Sequence, residues 1–302
     1  MKKLIYIALA LLLSISSFSQ SANSHFNNGI SRYYVQDYKG AIEEYTKAIE
    51  KKPTDAKFYL SRGIAKYYLQ DYKGAIADQD KALEINPKYC DAHFNKGDSK
   101  YNLQDYAGAI EAYTKAVDCN PKDAMALVSR GLTKQYLKDY AGAILDFTKA
   151  IKVEPKMADI YVNRGIAKAY LGDYEDAIKD YNKAIKINQI SVAYYSRGVA
   201  KDALLDYKAA ISDFNKAIDI NPKVAKFYHN RGLTKLNLND KKGAISDFSK
   251  AIDTNPRFAD AFYLRGFYRL ELGMKDEACL DFKRAAELGN GKAKAAKAQS
   301  CK

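Results

Sequence analysis

The residues of this 302-residue chain with the means to do chemistry are three histidines, four cysteines, a run of paired acids and a recurring arginine–aspartate spacing. Histidine serves as acid–base catalyst or metal ligand when a partner stands at the right spacing. His25, His93 and His229 stand singly, and no metal-ligand spacing, nucleophile motif or phosphate-cradling glycine loop surrounds them. The adjacent acids Glu43 and Glu44 do not face each other on a helix, where neighbours lie three or four residues apart. No catalytic residue, metal site or cofactor is therefore expected, and an enzyme reading finds no support. Cys90, Cys119, Cys279 and Cys301 either stay thiols or pair in one of three ways. Arg62, Arg130, Arg164, Arg197, Arg231 and Arg265 are each followed sixteen residues later by Asp78, Asp146, Asp180, Asp213, Asp247 and Asp281. That spacing suits bidentate guanidinium–carboxylate pairs with a structural role.

The elements that place these residues repeat. Gly29, Gly63, Gly97, Gly131 and Gly165 recur every 34 residues, and after a 33-residue step Gly198, Gly232 and Gly266 continue the series. An alanine stands four residues before an aromatic at Ala41/Tyr45, Ala109/Tyr113, Ala143/Phe147, Ala177/Tyr181, Ala210/Phe214, Ala244/Phe248 and Ala278/Phe282. Prolines close the units at Pro53, Pro87, Pro121, Pro155, Pro222 and Pro256. In small residue, A-x3-F element and closing proline the pattern resembles the tetratricopeptide repeat (TPR). It departs in having tyrosine or phenylalanine and a cation on the first helix, as a subtype would. The resemblance implies an all-α, right-handed superhelical solenoid of eight helix-turn-helix units, about 22–55, 56–89, 90–123, 124–157, 158–190, 191–224, 225–258 and 259–290. Residues 291–302 then form a capping helix over the exposed apolar end.

Within a unit, a first helix carries the glycine and a second begins after a Leu-x-Asp turn. Asp37, Asp71, Asp105, Asp139, Asp173, Asp206 and Asp240 stand where a carboxylate caps the second helix, and Met274 breaks the series. Tyr38, Tyr72, Tyr106, Tyr140, Tyr174 and Tyr207 read as core between units. The resemblance places the ligand on the concave side, lined by first helices. Carried over residue by residue, it implies partner binding by Phe26, Ile30, Tyr33, Tyr34, Leu60, Ile64, Tyr67, Tyr68, Phe94, Tyr101, Leu132, Tyr136, Ile166 and Tyr170. This lining is apolar and Tyr-rich, suited to a peptide through area and directed hydroxyl bonds. The alternative is that neighbouring helices bury it. Tyr34, Tyr68, Tyr136 and Tyr170 share a position at which Asn102, Ala203, Asn237 and Glu271 are not aromatic, which draws the site toward the first five units. The family's carboxylate clamp of Lys, Asn and Arg has no match: its places hold Phe26 and Ile30, Leu60 and Ile64, Phe94 and Asp98, or Val128 and Leu132.

Three local features break the period. Gln189 stands where proline is expected, one residue is missing, and Ile187 to Val192 is either a hinge or drift without consequence. Gln79 replaces the second-helix aromatic, as a bonded core amide or a loose contact. On the implied hairpins Cys90 begins a first helix and Cys119 ends its partner, while Cys279 meets Cys301 if the last helix folds back. Cys90–Cys119 and Cys279–Cys301 are the expected pairs, with free thiols as the alternative.

Met1-Lys2-Lys3, the apolar run Leu4 to Leu13 and Ser17-Phe18-Ser19 have the three regions of a secretory signal peptide over 1–19. The expectation is an exported protein, periplasmic or secreted, with no transmembrane segment once the leader is removed. The net charge of +13, less Lys2 and Lys3, leaves +11. Its lysines recur once per unit, so a solvated face is expected and nucleic acid is not. The functional expectation is a non-catalytic interaction scaffold of the cell envelope that binds a peptide segment of another protein. A carbohydrate or cell-wall binding module and a self-assembling structural element are the alternatives.

Overall fold

The structure, a computed structural model, describes residues 21–301, so the expected leader, Gln20 and Lys302 lie outside the described residues. These form seventeen helices and no strand. They divide into two compact bodies, one ending at Leu137 and one beginning at Lys138, a division that falls inside the expected fourth unit. The first body holds the hairpins α1 (Ala22–Tyr34) with α2 (Tyr38–Lys51), α3 (Ala56–Tyr68) with α4 (Tyr72–Ile85) and α5 (Cys90–Asn102) with α6 (Tyr106–Cys119), then α7 (Ala124–Tyr136). The second opens with α8 (Tyr140–Val153) and continues with α9 (Ala158–Tyr170) and α10 (Tyr174–Ile187), α11 (Ser191–Ala203) and α12 (Tyr207–Ile220), α13 (Ala225–Asn237) and α14 (Lys241–Thr254), and α15 (Ala259–Glu271) and α16 (Lys275–Glu287). A last helix, α17 (Gly291–Ser300), packs on α16.

Local chemistry sets the ends of these helices. The carboxylates of Asp37, Asp71, Asp105, Asp139, Asp206 and Asp240 each accept from a backbone N–H in the first turn of the following helix. Asp173 departs from the expected series: its side chain makes no capping bond, and the acids Glu175 and Asp176 occupy the first turn of α10 instead. The residue before the cap lies in the left-handed region, at φ +62° for Gln36, +64° for Leu205 and +87° for Gly172.

Between the helices of a hairpin, a ring edge lies flat on the glycine of the first helix. A Cβ at Gly165 would stand 2.6 Å from Tyr181 Cε1, and one at Gly198 2.8 Å from Phe214 Cε1. The two rings are 1% exposed, and burying each contributes about 1.5–3 kcal/mol. Gln79 takes the ring's place below Gly63. It is fully buried, donates to Ser99 Oγ at 3.0 Å and leaves its Oε1 without a partner, so it is both a bonded amide and a weak point.

The arginine–aspartate spacing closes as bidentate pairs. Asp180 accepts from Arg164 Nε at 2.9 Å and Nη2 at 2.6 Å, and Lys168 Nζ lies 2.8 Å away. The remaining Nη1 donates to Thr148 Oγ1 at 3.1 Å, on the second helix of the preceding unit. Each arginine thus ties three helices, and Arg62, Arg197, Arg231 and Arg265 repeat the arrangement on Asp78, Asp213, Asp247 and Asp281. The first unit substitutes Glu44, bonded by His25 Nδ1 at 2.8 Å and Lys47 Nζ at 2.7 Å, which hold its carboxyl down at about 2.

Ile187 and Ile190, on either side of the shortened link, pack against the core of Tyr161, Val162, Ala184 and Ala193. That packing favours drift over a hinge. Cys90 pairs with Cys119 and Cys279 with Cys301, at Cα separations of 5.5 and 5.6 Å. The second bridge and the fully buried Ala293 fasten α17, whose first turn is capped by Asn290.

Candidate functional site

The tyrosines form joints between units. The first residue of a second helix stands opposite the last residue of the next first helix, thirty positions on, or twenty-nine across the shortened link. In the first body, Tyr38 stacks on Tyr68 with centroids 5.0 Å apart and planes at 10°, and Tyr33 meets both rings edge-on at 5.5 and 5.6 Å. At the next joint Asn102 faces Tyr72's position and donates to Tyr67 Oη at 2.9 Å. Tyr106 then meets Tyr136 at 4.5 Å. In the second body, Tyr140 and Tyr170 stack at 4.7 Å and 3°. Later joints lose one or both rings: Tyr174 faces Ala203's position, Tyr207 that of Asn237, and Lys241 pairs with Glu271 at 2.8 Å.

The outer ring of each joint stays open to water, with Tyr68, Tyr136 and Tyr170 exposed by 51, 60 and 65%. Tyr34 has no preceding second helix among the described residues and is 79% exposed. Tyr101 and Leu132 also reach the surface. The tyrosines at the starts of the second helices, expected as core, are half-buried because they form the inner half of these joints. A hydrogen bond with Tyr136, burial and the neighbouring phenols push the Tyr106 phenol up to about 12, and burial with Tyr68 raises Tyr33. The Tyr33 and Tyr106 phenols therefore stay protonated at physiological pH.

The other expected binding residues stand behind that surface. Phe26 lies between Tyr45 and Phe58 at centroid distances of 5.6 and 4.8 Å, Phe94 rests on Tyr113, and Ile30, Tyr33, Ile64, Tyr67 and Ile166 are half-buried supports. Leu60 is a correction: it is 4% exposed in the core with Phe58 and Tyr59, and no partner can reach it. Asp98, at an empty clamp place, accepts from Tyr113 Oη at 2.7 Å, and burial pushes its carboxyl up. In the second body a cleft of about 390 Å³ opens beside Tyr174, reaching Tyr195, Val199 and Lys226. Ile166 and Tyr170, both expected at the site, line this cleft, whereas Tyr174, Tyr195, Val199 and Lys226 were not among the expected binding residues. Among the described residues no helix is long and apolar enough to cross a membrane.

Models of the tetratricopeptide repeat match residues 56–89, 90–123, 158–189, 191–224 and 225–258, and a TPR repeat model matches 29–70. The chain belongs to the tetratricopeptide-repeat family. The TPR fold recurs in a tetratricopeptide repeat protein from Parabacteroides merdae, at 20% identity over 82% of this chain and 99% of that one, with a TM-score of 0.64. It recurs in the C-terminal part of a TPR repeat-containing protein from Cytophaga hutchinsonii, at 21% identity, 78% and 97% coverage and a TM-score of 0.64. MamA is similar at 30% identity over 54% of this chain and 96% of its own, with a TM-score of 0.50. YrrB, a TPR protein with an unusual peptide-binding site, aligns at 22% identity over 63% of this chain and 99% of that chain, with a TM-score of 0.50. No curated protein matches the sequence. The helix pairs and the family are those of protein-interaction scaffolds.

Proposed function

We propose that this TPR protein is a non-catalytic scaffold of the cell envelope that holds a peptide segment of a partner protein against its first-helix tyrosines. The observation that carries the reading is the half-stacked phenol. Tyr68 and Tyr170 each rest one face on a neighbouring ring, Tyr136 leans on Tyr106 at a tilt of 44°, and all three remain open to water. Stacking has already taken up much of their rotamer freedom, so a ligand gains aromatic area at small entropic cost. The peptide-binding site of YrrB is a precedent on the same fold. An envelope location draws support from the signal-like segment at 1–19 and the two disulfides, which suit an oxidising compartment.

Crosslinking of envelope proteins to the full-length protein tests this, beside a variant carrying Tyr68→Ser, Tyr136→Ser and Tyr170→Ser. Each substitution removes an aromatic pair worth about 0.5–1.5 kcal/mol, so helicity and melting are checked at the capture temperature. A partner captured by the parent alone is expected. Equal capture by a folded variant sinks the tyrosine surface as the site.

A further inference from the structure

The joint between the fifth and sixth units differs from the tyrosine joints before it. Where Tyr140 is covered by Tyr170, Tyr174 has only Ala203 at the covering position, and the link between the units is one residue short. The wall of Tyr174 is left open to the cleft of about 390 Å³ that Ile166, Tyr181, Tyr195 and Val199 also line. Its walls are preorganised. Tyr181 is 1% exposed, and Tyr195 is pinned by Asn230 Nδ2 on its hydroxyl at 2.7 Å and by Phe227 at a 4.9 Å ring separation.

One charge stands at the mouth. Lys226 Nζ lies 5.7 Å from the centroid of the Tyr195 ring, and no carboxylate pairs with it among the described residues. The ladder lysines Lys168, Lys201 and Lys235, by contrast, each sit 2.8 Å from an aspartate. An apolar, phenol-lined cleft with a single free ammonium at its rim complements a bulky apolar side chain flanked by a carboxylate.

We propose that this cleft is the anchor pocket of the protein, and that it selects partner segments in which an aromatic residue is flanked by acidic residues. The proposal rests on the peptide-binding reading above and names the chemistry of the peptide. The aromatic side chain fills the space that a ring at position 203 would cover, and its neighbouring carboxylate takes a charge-assisted hydrogen bond from Lys226.

The test uses the full-length protein and fluorescein-labelled Gly-Asp-Phe-Asp-Gly, with Gly-Asn-Phe-Asn-Gly and Gly-Asp-Ala-Asp-Gly as comparators, read by fluorescence anisotropy. The acidic aromatic peptide is expected to bind about tenfold tighter than either comparator. Ala203→Tyr, which rebuilds the joint, is expected to lose that binding by about ten- to a hundredfold while melting no lower than the parent. Lys226→Gln is expected to erase the preference for Asp over Asn and keep the preference for Phe over Ala. The inference is overturned if the three peptides bind alike or not at all, if a folded Ala203→Tyr binds as the parent does, or if Lys226→Gln keeps the acidic preference. Envelope-partner capture that survives Ala203→Tyr but not the triple tyrosine variant removes the anchor pocket and leaves the scaffold reading standing. Capture that survives both removes both.

Discussion

Asp180→Asn tests the ladder that sets the stacking register. The carboxylate takes two bonds from Arg164 and an ion pair from Lys168, and its side chain is only 5% exposed. Asparagine keeps the shape and one acceptor oxygen, but its amide turns a donor toward two cations. Losing two charge-assisted bonds while the cations stay half-buried costs about 3–5 kcal/mol. Asp176→Asn is the control, because the Lys179–Asp176 pair is 76% and 56% exposed and an exposed pair contributes about 0–1 kcal/mol. Repeat stability is close to a sum of unit and nearest-neighbour contributions, so the loss should stay local. Urea denaturation followed by circular dichroism should shift for Asp180→Asn and scarcely for Asp176→Asn. Hydrogen exchange should accelerate in α8, α9 and α10, the three helices that Arg164 ties, before α15 and α16. The reasoning is refuted if the two variants shift equally, or if exchange in α8 to α10 is no faster than in α15 and α16.

Two further outcomes follow from local geometry. Leu205 holds φ +64° and is 69% exposed, while Gly172 fills the same turn position at φ +87°, so Leu205→Gly should stabilise by about 0.5–1 kcal/mol and Gly172→Leu should destabilise by about 1 kcal/mol. Thermal melts that move both variants in one direction would contradict this. Glu44 has its carboxyl lowered from the ordinary carboxylate range near 4.5 to about 2 by His25 and Lys47. The folded state therefore binds its proton less readily than the unfolded chain, and the stabilisation is present above pH 4.5 and lost as pH falls through about 2. Glu44→Gln should flatten stability against pH across that window, with denaturant midpoints at several pH values as the readout.

Hairpins, turns and the arginine–aspartate spacing were legible in the chain because they depend on neighbours within one helical repeat. A capping carboxylate, a ring opposite a glycine and a proline after a helix act over a few residues or across one hairpin, and the period displays each of them many times over. Single exceptions needed coordinates. Nothing in its repeat position marks Asp173 as the one turn aspartate without a capping bond, and Gln79 is at once bonded and unsatisfied because the Ser99 hydroxyl accepts from its amide and donates its own proton to Asn95 O.

The binding surface divides in the same way. The tyrosine positions could be numbered from the sequence, but whether a phenol is covered depends on how closely the next unit packs, a relation between residues thirty apart that no local pattern encodes. Leu60 shares a repeat position with the half-buried Phe26 and Phe94 and yet is buried, in a core cluster that draws residues from the neighbouring helices. The sequence shows that Ala203 is not aromatic, but that Tyr174 lines a cleft reaching Lys226 follows only from how the helices pack. Periodicity dictates which side chains recur at an interface. The space left between two stacked units belongs to neither unit's sequence alone, so it takes shape only when both are folded against each other.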